Sequence, residues 1–149
     1  MNQQMTRKIF KEIDKRSYDL MKAAERFGGG HSILTSNQAS GLAVSADCVD
    51  NPNTLITHIQ NQSTKSTVRE KDRGFWRDLK KEIEALRGEA EQVFVALEPP
   101  PDTTDKARKE AIQYIQLLLA RDYIQHLSMH EVYARALQKH QEEDYGNGA

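Results

Sequence analysis

Cysteine is almost missing from this chain. The single Cys48 excludes an internal disulfide framework and suits a reducing compartment. Four prolines and eight glycines in 149 residues are too few for the many turns of a β-sandwich, and aromatics make up only 7%. Nowhere do strand formers alternate with polar residues over a useful length. No apolar run approaches the roughly 20 residues a membrane span needs. The opening MNQQMTRKIF lacks the apolar core of a signal peptide. These absences exclude a disulfide-stapled framework and a membrane-spanning helix, and lead to the expectation of a soluble cytoplasmic protein with no membrane contact.

What is present favours helices. Hydrophobic residues are 38% and charged residues 29%, with heavy use of Ala, Leu, Glu, Lys, Gln and Arg. The length suits one domain, residues 1–149, and an all-α, compact bundle of five to six helices. A first helix is predicted over 5–27, with Ile9, Ile13, Leu20, Ala24 and Phe27 on one stripe. The GGG at 28–30 is read as its stop, because glycine reaches the left-handed conformation of a helix C-terminus. A short helix over 38–49 is expected to be capped by Ser36, with Cys48 on its small-residue core face. Asn51-Pro52 reads as an N-cap and first helical residue. QNQSTKST, 60–67, reads as a mobile polar loop.

The longest helix is expected to open on a Thr67/Glu70 capping box and to run until EPPP halts it at 98–101. A fourth helix spans about 104–126, with Ala107, Ala111, Ile115, Leu118 and Ile124 inward. Ser128 and Glu131 at capping-box spacing, with Leu127 and Val132 as a hydrophobic staple, predict a new helix from Met129. Residues 142–149 are expected to fray.

The net charge of −1 conceals a segregation. Residues 65–81 carry seven basic and three acidic groups, whereas 82–100 carry one and five. At about 100° per residue, the apolar series from Phe75 to Leu97 fills one face of the long helix. Arg69, Arg73, Arg77, Lys80 and Arg87 form a ridge beside that face, with Lys81 near it and Trp76 at its border. Cations one turn apart match successive phosphates, and an edge tryptophan can stack on a base. The plainer alternative is a solvated flank whose cations snorkel over the core. Lys8, Lys11 and Lys15 make a second basic patch. Gly74 marks either a kink or a close approach to the backbone.

Other chemistry is sparse. His126 and His130 are four apart, but no cysteine or carboxylate completes a tetrahedral metal site, so no metal and no cofactor is expected. GGG lacks the Lys and Ser/Thr of a phosphate-binding loop. Arg121 and His126 resemble the Arg-x4-His motif of HEPN-type ribonucleases. The same spacing recurs at Arg26/His31 and Arg135/His140, which shows how unspecific it is.

A helical bundle of this length with a basic helix ridge and no catalytic motif resembles the small subunit of multi-subunit (class 1) CRISPR effector complexes. That resemblance is one of architecture. It implies a non-catalytic subunit that touches guide RNA and target nucleic acid, packs against other effector subunits and copies of itself, and uses Arg69, Arg73, Arg77 and Lys80, with Lys8, Lys11 and Lys15 as a second patch. Two further classes stay open: a helical protein–protein adaptor without nucleic acid, and a HEPN-like ribonuclease using Arg121 and His126.

Overall fold

The computed structural model describes residues 3–31, 33–65 and 68–147. Five helices and no strand occur among them: α1 (Gln3–Gly29), α2 (Ser36–Cys48), α3 (Pro52–Thr64), α4 (Glu70–Ala96) and α5 (Asp105–Asn147). Helix α5 packs against all four others and is the axis of the bundle. Its middle is buried nearly all round, from Ile115 through Leu119 and Tyr123 to Leu127, as expected of a helix wrapped by neighbours. Of the residues expected inward, Ile115 and Ile124 are buried, Ala111 and Leu118 partly so, and Ala107 is exposed. Gln116, buried on the same helix, donates to the Ile83 carbonyl at 3.1 Å.

Helix α1 buries the stripe its spacing predicts. It ends differently from expectation. Gly30 N donates to the Arg26 and Phe27 carbonyls, and no described glycine has a positive φ. A tightened last turn therefore closes the helix in place of a left-handed glycine. The left-handed residue lies elsewhere, at Glu98 (φ 54°), just beyond α4 and before Pro99. Gly28 is needed for a different reason: a Cβ there would collide with the His130 ring.

Helix α2 is capped by Thr35, one residue ahead of Ser36. Gln38 N donates to Thr35 Oγ1 and Thr35 N donates to Gln38 Oε1, a reciprocal capping box. Cys48 is exposed, not in the core, because the α2 face toward α5 is Ala39, Leu42 and Ala46. Asn51 caps α3 as predicted, accepting from Asn53 N at 2.8 Å. Residues 60–64, read as loop, continue α3. Thr67 lies outside the described residues. Helix α4 starts at Glu70, and Arg69 occupies its N-cap position without a side-chain capping bond.

The predicted break at Ser128 does not occur, and most of the supposed tail, 142–147, is helical. Glu131 is unavailable for a capping box because its Oε2 accepts from Leu34 N at 3.0 Å. Val132 points to solvent, so no staple forms with buried Leu127. At 1.5 Å per residue, the 43-residue α5 is about 64 Å long against about 40 Å for the 27-residue α1 and α4. Its last turns overhang the bundle, and every described side chain from Ala136 onward is exposed. No helix among the described residues is long and apolar enough to cross a membrane.

Candidate functional site

The basic ridge on α4 is partly consumed by the fold. Trp76 is 1% exposed and edge-packed on Phe75 at 5.4 Å, so it is a core residue with no face free for a base. Arg69 Nε donates to Asp72 Oδ2 at 2.6 Å, and its Nη2 donates to the Ile33 carbonyl at 3.0 Å. That pairing satisfies a fully buried carboxylate and ties the α1–α2 connection to α4. Arg73 is half-buried, with an Nε that has no hydrogen-bond partner. Lys80 stands 3.8 Å from Glu84 and Arg87 stands 3.5 Å from Glu91. Arg77 and Lys81 remain exposed and lie beside Asp78.

The second basic patch is not continuous with the first. Arg16 lies 3.4 Å from Glu89 and Phe27 packs on Phe75, so α1 and α4 run antiparallel. Lys8 and Lys11, both exposed, therefore sit toward the Leu97 end, while Arg77 sits toward the Phe27 end. The offset from Lys8 to Phe27 along α1 is about 28 Å. Lys15 is paired with Glu12 at 2.9 Å.

Arg121 is engaged as a helix closure. Its Nε donates to the Ala46 carbonyl at 2.8 Å and its Nη2 to the Val49 carbonyl at 2.6 Å, at the C-terminus of α2. A cation on the last carbonyls also complements the helix dipole. His126 Nε2 lies 3.3 Å from Ser17 Oγ and 3.4 Å from Asp122 Oδ2, while Ser17 Oγ lies 3.1 Å from the same carboxylate oxygen. Serine and aspartate thus meet one ring nitrogen. Nucleophile activation instead needs the carboxylate on the opposite nitrogen, orienting the base. No group of three or more His, Cys, Asp or Glu side chains among the described residues is placed to hold a metal ion.

Among the described residues there is also a concave feature that the sequence does not announce. A groove of about 800 Å³ runs between α1, α2 and α5. Phe10 and Ile13 supply one wall and Ala43 and Ala46 the second. The α5 floor runs from Leu118 and Ile124 to Met129, Val132, Tyr133 and Ala136. Phe10, Met129, Val132 and Tyr133 stand 46%, 65%, 57% and 64% exposed, and Leu137 extends the row along α5. The signal was present at 129, 132, 133, 136 and 137, which keep helical spacing. A helix start at Met129 with Val132 in a staple to Leu127 assigns Val132 to local packing, and so hides its place in this exposed row. No protein-family model, curated protein or solved structure matches the chain.

Proposed function

We propose that this chain is a non-catalytic helical assembly subunit that docks protein segments in the α1/α2/α5 groove. The observation that carries the reading is the groove itself, where four large apolar side chains are left exposed on adjoining walls. A contiguous apolar surface of this kind is costly to leave in water and typically marks a partner site. The architectural resemblance to a CRISPR effector small subunit is compatible with it, since such a subunit is held by its neighbours.

A photo-crosslinking residue at Tyr133, compared with one at Glu91 on exposed α4, tests docking in the native host. Discrete protein adducts at Tyr133 alone support the reading. The same adducts at both positions, or none at Tyr133, overturn it.

A nucleic-acid contact is a second reading, favoured by exposed Arg77 and Lys81 and by exposed Lys8 and Lys11. It predicts salt-dependent retention on single-stranded RNA or DNA that falls when Arg77 and Lys81 are changed to Glu. Unaltered retention in that variant would remove the α4 ridge from consideration. The ribonuclease alternative has less support, because Arg121 is occupied by the α2 carbonyls.

A further inference from the structure

The groove is apolar along its floor and acidic at its edge. Asp14 on α1, Asp47 on α2 and Asp122 on α5 line it, and no Lys or Arg pairs with any of the three among the described residues. The only cation in the lining is Arg121, and its guanidinium is bonded to the carbonyls that end α2. That cation is spent on the negative end of the α2 dipole, which leaves the three carboxylates as the charge the groove edge presents. Lysine is absent from the lining. From Leu118 to Ala136 the floor follows α5 for about 27 Å, the length of a five-turn helix.

We infer that the occupant is a basic amphipathic helix of about five turns supplied by a partner protein. Its apolar face lies between α5 and Phe10, and its Lys or Arg flank meets Asp14, Asp47 and Asp122. This inference rests on the docking reading above and adds the chemistry of the partner. Helix-in-groove recognition takes its affinity from apolar anchors at i, i+3, i+4 and i+7, while the charged rim sets which partners are accepted. A second copy of this chain is a poorer match along α5, where the overhang from Ala136 carries exposed Glu142 and Glu143 beside its bases.

Fluorescence anisotropy with the full chain tests this. The probe is a labelled 18-residue helical peptide of leucine and lysine, with leucines on one face. The comparison peptide has glutamate in place of every lysine. The lysine peptide should bind at least tenfold more tightly than the glutamate peptide and weaken with added salt. Its affinity should fall at least tenfold in Asp14→Lys/Asp47→Lys and be lost in Val132→Ser/Tyr133→Ser. All four positions are exposed, and the two-peptide comparison on unmodified protein stands apart from any folding defect.

If the glutamate peptide binds as tightly, and Val132→Ser/Tyr133→Ser abolishes that binding, the basic-partner inference falls while the docking reading survives. Lysine-peptide binding that ignores both double variants places the peptide outside the groove and overturns the inference. A dimer that Val132→Ser/Tyr133→Ser dissociates, with neither peptide bound, makes the occupant a second copy and also overturns it.

Discussion

His31 joins two helices through both of its ring nitrogens: Nε2 lies 2.8 Å from Asp78 Oδ2 on α4, and Nδ1 lies 2.7 Å from the Phe27 carbonyl at the end of α1. Both partners are acceptors, so only the imidazolium can donate to each. The ring also stacks on Phe27 at 4.2 Å. Burial pulls the His31 pKa down, but the bonds to Asp78 and the Phe27 carbonyl outweigh it, and the net shift is upward from 6.5.

The folded chain therefore holds the His31 proton more tightly than the unfolded chain. Stability from this pair is complete below the unfolded value of 6.5 and is lost as pH rises through the higher folded value. His31→Gln should flatten the decline between pH 6 and 8 by roughly 0.2–1 kcal/mol, the range for pairs with an exposed partner. Urea midpoints read from the single Trp76 measure it. The Asp78 pKa is lowered, chiefly by the same bond, so its contribution is present above 3.8 and is lost as pH falls through the folded value.

Glu131 has the opposite problem. Burial raises its pKa above 4.5, against the bond from Leu34 N, and its Oε1 has no hydrogen-bond partner. The native state keeps this proton longer than the unfolded state, so stability falls as pH rises above 4.5. Glu131→Gln keeps an acceptor for Leu34 and removes the buried charge; it should be at least as stable as the parent at pH 8. Glu131→Leu strands the Leu34 N–H and should cost about 1–3 kcal/mol.

Removing the guanidinium in Arg121→Met leaves the last carbonyls of α2 without their donors. A loss of about 2–3 kcal/mol is expected, as for hydrogen bonds to a charged group. Hydrogen exchange should quicken first at the C-terminal amides of α2, including Val49. Uniform acceleration across all five helices would show that Arg121 does not act through α2.

Two glycines should respond oppositely to alanine. Nothing lies within 4 Å of a Cβ at Gly74, so Gly74→Ala should stabilise α4 by about 0.5–1 kcal/mol. Among the described residues, nothing occupies the space a side chain at Gly74 would take. At Gly28 the added methyl meets the His130 ring, and Gly28→Ala should destabilise by about 1–3 kcal/mol. Thermal melts of the two variants decide it.

Glu98 adopts a left-handed conformation that side chains disfavour by roughly 1–2 kcal/mol. Glu98→Gly should recover part of this, about 0.5–1 kcal/mol, visible as a higher melting temperature. A drop would mean that the side chain contributes more than its backbone strain.

The helical class, the apolar stripes of α1 and α4 and the Asn51 cap were legible because each depends on spacing within one turn or two. Errors came where a local signal competed with a distant partner. Ser128 and Glu131 have the spacing of a capping box, yet Leu34, almost a hundred positions earlier, claims the Glu131 carboxylate and the helix runs on. Trp76 sat at the border of its helix wheel, and only the elements that cover it made it core. The cations of the ridge were visible as a pattern, but their ion pairs with Asp72, Glu84 and Glu91 depend on side-chain geometry that spacing alone does not decide.

The sequence by itself determined that this protein is helical, where most of its helices lie and which faces are apolar, because those properties follow from propensity and period. Tertiary structure decided which apolar faces find a partner. Four helices pack on α5, two of them, α1 and α2, leaving Phe10, Met129, Val132 and Tyr133 uncovered, and that gap exists only once α1, α2 and α5 are packed together.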